Sequence, residues 1–163
     1  MQKSHSETSA SMKLDATDRH FLDKAAEANK AEIELGQMAA QKASSDDVKK
    51  FGQRMVDDHT KANQQVEKLA GQKGIQLPDK LSAKDEATKN RLEKLSGKQF
   101  DQAYMRDMVK DHTVDVSAFR REAKMAKDND VKSFAQTTLP TLQDHLKSAK
   151  ELAPKGTAST RRS

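Results

Sequence analysis

The feature that most constrains this chain is a set of four long apolar stripes whose members recur at steps of three and four, each broken by one ionisable residue. The first stripe, Phe21, Ala25, Ala28, Leu35 and Ala39, is interrupted by Glu32. The second, Val48, Gly52, Met55, Ala62, Val66 and Leu69, contains His59. The third, Met105, Val109, Val116, Phe119, Ala123 and Ala126, contains His112, and the fourth, Val131, Ala135, Thr138, Leu142, Ala149 and Leu152, contains His145. A strand turns its side chains to alternate faces at every residue, so a period of 3.6 held over such lengths specifies helices, each with one face to bury. Four such helices hide those faces against one another, and the expected fold is an all-α four-helix bundle.

Local signals place the boundaries. The first long helix is expected from about Asp15 to Ala43. Ser44, Ser45, Asp46 and Asp47 then break the chain and offer side-chain oxygens to the free N–H groups of a new first turn. The second helix follows to about Ala70, where Gly71 and Gly74 can adopt positive φ and end it. Residues 74 to 97 are too many for a hairpin between neighbouring helices. Pro78 and Asp79 mark a turn there, and Ser82 with Asp85 opens a short helix to about Leu95. A middle connection of this length predicts a crossover along the bundle, which is ferritin-like connectivity. The third long helix is expected from about Lys98 to Lys127. The fourth, capped within Asp128-Asn129-Asp130, runs to about Leu152, with Pro140 removing an N–H and bending it a turn before His145. The domain therefore spans 15–153, between a disordered polar tail over 1–14 and a basic tail over 154–163.

Composition narrows the function classes. With no Cys, disulfides, thiolate metal sites and thiol nucleophiles are excluded together. The net charge of +5 comes from 30 basic and 25 acidic residues interleaved along every helix, the pattern of solvated faces. No basic block lies beside stacking aromatics, so nucleic acid is not an expected partner. Weak contact with anionic envelope surfaces through the basic tail remains an expectation, and no segment reaches the roughly 20 apolar residues of a membrane span. The opening MQKSHSETSASMK lacks a secretory apolar segment, which reads either as a cytoplasmic start or as the remainder after removal of a signal.

Glu32, His59, His112 and His145 each lie near the middle of a helix on its inward stripe, so they are expected to be neighbours in one layer. A carboxylate buried alone is costly. Two arrangements relieve it: a Glu–His hydrogen-bond network with at least one His protonated, or one divalent cation held by three N and one O, for which Zn, Mn or Fe are suitable. The network needs no cofactor and is the simpler reading. Asp58 and Asp111, each directly before a His, are flank residues that can still hold an imidazole as outer acceptors. Tyr104 is expected to pack near the layer and make one hydrogen bond. The residues three before each His are Val56, Val109 and Leu142, so the Glu-x-x-His pattern of a di-iron site is missing. No catalytic residue is assigned. The leading expectation is a non-enzymatic bundle; the rivals are a mononuclear metal-dependent oxidoreductase or hydrolase with an open coordination position, and an envelope interaction module.

Four segments carry a resemblance: AEIELG (31–36), VKKFGQRMVDDH (48–59), GKQFDQAYMRDMVKDH (97–112) and VKSFAQTTLPTLQDHLKSAKEL (131–152). Over roughly residues 16 to 152 the chain resembles the bacterial domain-of-unknown-function family numbered forty-one forty-two. Its members carry labels of outer membrane or exported proteins. The resemblance implies a ferritin-like bundle and export to the periplasm, with a stress or envelope role by analogy, and brings no established activity. The matching positions are Glu32, His59, His112 and His145. Within the chain, FGQRMVDDH and YMRDMVKDH share an aromatic, a Met-Val pair and a terminal Asp-His. That repeat relates the second and third long helices, whereas duplication of a helix pair would relate the first with the third and the second with the fourth.

Overall fold

The computed structural model describes residues 14–155. The tails expected over 1–14 and 154–163 therefore lie outside the described residues, apart from their innermost positions. Five helices and, among the described residues, no strand make up the chain: α1 (Ala16–Lys42), α2 (Asp46–Lys73), α3 (Ala83–Glu93), α4 (Gly97–Met125) and α5 (Asn129–Leu152). Four start on a side chain that accepts a first-turn N–H: Asp15 from Asp18, Ser45 from Val48, Ser82 from Asp85, and Asp128 from Asp130 and Val131. Of the two glycines expected to close α2, Gly74 does so, at φ 66° with its N–H bonded back to Ala70 and Gly71. Gly71 lies inside the helix. α5 continues through Pro140.

The helices form two hairpins, α1 with α2 and α4 with α5, packed through α2 against α5 and α1 against α4. Lys73 at the end of α2 bridges Asp128 and Asp130 at the start of α5, and Asp18 at the start of α1 meets the turn after α4. α2 and α4 consequently run in the same direction. The connection between them must cross the length of the bundle, and α3 is the helix it carries. Lys42 Nζ donates to the Leu92 and Glu93 carbonyls, securing the end of α3 to the top of α1.

The hairpins lock each other reciprocally. Asp18, in the first turn of α1, accepts the backbone N–H groups of Lys127 and Asp128 in the α4–α5 turn, at 3.0 and 2.8 Å. Asp101, in the first turn of α4, accepts those of Ser44 and Ser45 in the α1–α2 turn, at 2.9 and 2.8 Å, together with the Ser44 hydroxyl. This correspondence pairs α1 with α4 and α2 with α5. VKKFGQ (48–53) and VKSFAQ (131–136), each starting three residues after its helix cap, are its trace in the sequence.

The core falls into two apolar clusters. One, built around Phe51, Met55, Leu92, Phe100, Tyr104 and Met105, fills the end that holds the α1–α2 turn. The other, around Phe21, Leu22, Val66, Phe119, Val131 and Phe134, fills the opposite end. Close packing of α1 on α2 depends on Gly36 and Gly52. A Cβ added at either would stand 2.7 Å from the carbonyl oxygen of the other.

Candidate metal centre

Between the two apolar clusters lie three imidazoles from three helices. The rings of His59 (α2), His112 (α4) and His145 (α5) form a near-equilateral triangle, with centroids 5.6, 5.3 and 5.3 Å apart. All three residues are buried, at 2%, 0% and 0% exposure. One nitrogen from each, taken together, lie within 4.8 Å of one another.

The outer nitrogen of every ring has a dedicated acceptor. His112 Nδ1 donates to the Met108 carbonyl at 2.9 Å, one turn back along α4. His145 Nε2 donates to the Asp58 carboxylate at 2.7 Å, and Arg54 stands 3.5 Å from the same oxygen. His59 Nδ1 faces the amide oxygen of Asn29 at 2.9 Å. A carbonyl, a carboxylate and an amide oxygen only accept, so each outer nitrogen carries the ring proton. The inner nitrogens, His59 Nε2, His112 Nε2 and His145 Nδ1, are left with lone pairs, and all three are buried without a hydrogen-bond partner. Burial, reinforced by the neighbouring rings, holds His59 well below the ordinary imidazole range, and burial takes His112 down to about 4. Burial also lowers His145, although the Asp58 bond opposes it. Three neutral rings thus converge lone pairs on one point.

Glu32 does not complete this set. It is buried at 2% exposure, but its carboxylate lies outside the group that could share an ion, and it makes no hydrogen bond to any described residue. The charges that raise Glu32, after burial itself, are Asp111, Asp115 and Asp107 of α4 and Asp85 of α3. No Glu32–His hydrogen bond forms among the described residues: Glu32 lines a cavity with Asp85, Asp111 and Asp115 instead. Asp111 also leaves the place expected for it. It lines a cavity with Glu32 and Asp115 and holds no ring, because adjacent helical residues point about 100° apart. Tyr104 is fully buried between Phe51 and Phe100, and its hydroxyl lacks the one hydrogen bond expected. Asp58 alone of the three outer candidates supports a ring, and that ring belongs to another helix.

Asn29 and the Met108 carbonyl were not legible as partners. Asn29 stands one position off the first stripe, and a helical sequence offers no mark for a backbone carbonyl that bonds a side chain. A buried amide in a helix interior, where Asn is a poor helix former, is the signal that Asn29 gave.

The geometry can be set beside known proteins. Among curated proteins nothing matches. Two solved structures share the fold: a DUF305 fragment from Deinococcus radiodurans, with TM-score 0.76, and a "putative secreted protein DUF305" from Streptomyces coelicolor, with TM-score 0.72. Each is 14% identical to this chain, over 86% of it and 97% of the other. Among the described residues no helix is long and apolar enough to cross a membrane. The model of the domain of unknown function DUF4142 matches residues 3–152, nearly the whole chain, and the protein belongs to that family.

Proposed function

We propose that this protein binds one divalent transition-metal ion through His59 Nε2, His112 Nε2 and His145 Nδ1, and that it is an exported binding protein. The observation that carries the reading is the convergence of three buried lone pairs whose rings are already fixed in the metal-binding tautomer. One water brings two hydrogens to three acceptors and leaves one unpaired, whereas a cation satisfies all three at once. An ion held at about 2.1 Å by each nitrogen in tetrahedral geometry sets the donors about 3.4 Å apart, so the triangle closes by no more than about 1.4 Å on loading. An all-imidazole donor set suits Zn, Cu, Fe or Ni, and Zn2+ fits best a tetrahedral site with one further position. Mn, which prefers carboxylates, loses its case with Glu32 outside the set.

Asp58, Asn29 and the Met108 carbonyl fix ring orientation and raise the basicity of the donors, as outer partners of metal-bound imidazoles do. The burial of all three rings supports holding an ion over turning over a substrate. Export rests on the family resemblance and on the description of the Streptomyces coelicolor structure. Osmotic-shock fractionation of cells carrying the native gene tests it, and a purely cytoplasmic protein would end that part of the reading.

Metal content by inductively coupled plasma mass spectrometry, on untagged protein purified without chelator, tests the site. The expected result is close to one equivalent in the parent and none in the His59→Ala/His112→Ala variant, with added Zn2+ raising the melting temperature of the parent alone. Metal-free protein that no divalent ion stabilises would refute it.

A further inference from the structure

Beside the histidine layer, α1, the start of α3 and α4 enclose a cavity of about 330 Å³. Its polar wall carries five carboxylates, Glu27, Glu32, Asp85, Asp111 and Asp115, against Lys24, Lys84, Arg121 and His20, and its apolar wall includes Phe21, Ala28, Ala31 and Ala118. Among the described residues the carboxylates of Glu32, Asp111 and Asp115 have no hydrogen bond or ion pair, although Lys24 and Lys84 also border the cavity. Lys24 is taken by Glu27, at 3.2 Å. Glu32 is the telling member: it lines the cavity, is 98% removed from solvent by its 2% exposure, and leaves Oε2 buried without a partner. Burial holds the Glu32 carboxyl well above the ordinary carboxylate range, and a cation that reaches it would take the place of the proton.

We infer that this cavity binds a small organic cation, an amine or diamine with a short hydrocarbon stem. Three features separate that ligand from a bare metal ion. The carboxylates are spread too far to share one, since the only ion-sized group of donors among the described residues is the histidine triangle. The volume is that of a small-molecule pocket, many times that of an ion. Finally, Phe21, Ala28, Ala31, Val114 and Ala118 make one part of the wall apolar, which gives a hydrocarbon stem contact that a hydrated ion cannot use. An ammonium group placed between Glu32 and Asp115 gains charge-assisted hydrogen bonds from both. Burial and the neighbouring carboxylates Asp111 and Asp85 raise both of these carboxyls, and a cation placed between them offsets that repulsion.

The test is isothermal titration of chelator-treated protein with 1,4-diaminobutane, beside the neutral isostere 1,4-butanediol and magnesium chloride. Chelation keeps the amine from acting as a metal ligand, so the result stands apart from that of the histidine site. The expected outcome is 1:1 binding of the diamine, absent for the diol and weakened at least about tenfold in Glu32→Gln/Asp115→Asn. Ala28→Met, which fills the cavity and removes no charge, should weaken it as well, and circular dichroism verifies that each variant is folded. Absence of binding up to about 10 mM diamine, equal binding of the diol, magnesium binding that the diamine does not displace, or undiminished binding in both folded variants would each overturn the inference.

Discussion

At the scale of single residues, the chemistry of the centre is set by the atoms behind the imidazoles. Asp58, Asn29 and the Met108 carbonyl each occupy one ring nitrogen, and that choice decides where the other three lone pairs point. Asp58→Ala or Asn29→Ala should therefore lower Zn2+ affinity by about 10–100-fold and keep the stoichiometry at one, as competition with a chromophoric chelator would read. Unchanged affinity in both variants would show that the rings are held by packing alone. Tyr104 offers a contrasting case, a buried hydroxyl with no partner. Tyr104→Phe is expected to be neutral or stabilising by up to about 1 kcal/mol in a urea melt, and a loss larger than that would reveal a bond to the nearby Glu32 carboxyl. His59, His112 and His145 were readable from periodicity because each sits on the inward line of its own helix. Glu32 stands apart from the three histidines because a helix in a bundle meets two neighbours. Asn29 faces α2 and its histidine, while Glu32, less than one turn further on, faces the acidic side of α4. A stripe identifies what is inside without telling which neighbour it meets.

At the scale of elements, the bundle depends on one close helix crossing and two carboxylate clamps. Gly36 and Gly52 let α1 and α2 touch backbone to backbone, and each forbids a side chain at the other. Gly52→Ala should cost about 1–3 kcal/mol by overpacking, whereas Gly71→Ala, with open space around its α-carbon, should be neutral or stabilising by up to about 1 kcal/mol. Chemical denaturation of the two variants orders them, and equal midpoints would mean that the crossing yields without strain. The crossover was legible because 74–97 cannot span a hairpin, and the caps were legible because Ser45, Ser82 and Asp128 announce them. The pairing of α1 with α4 and α2 with α5 was harder to see. Its clamps, Asp18 and Asp101, act across more than fifty residues of sequence, and VKKFGQ and VKSFAQ diverge after six residues.

Across the whole molecule, buried ionisable groups of opposite kinds oppose one another. Burial and like charges raise Asp115 and Glu122 to about 7, so their contribution is fully present below their ordinary carboxyl values and is lost as pH rises through 7. The three histidines are lowered, so theirs is present above the ordinary imidazole value and is lost as pH falls towards the value near 4 of His112. Metal-free protein should accordingly be most stable in mildly acidic solution, with the melting temperature falling by roughly 3–8 °C between pH 6 and 8. Asp115→Asn/Glu122→Gln should flatten that limb, and a melting temperature that rises over the same interval would contradict the assignment. The bundle thus carries its three imidazoles between two apolar halves, held neutral and ready to accept a cation without first losing protons.

Convergence of three imidazoles on one ion is the property on which the proposed function depends. X-ray absorption spectroscopy at the Zn edge of protein loaded with one equivalent counts the donors directly. Three imidazole nitrogens are expected at about 2.0–2.1 Å, with the multiple-scattering signature of intact rings and at most one or two lighter ligands. A first shell of oxygen donors with no imidazole scattering would place the metal among carboxylates and rule out the histidine site.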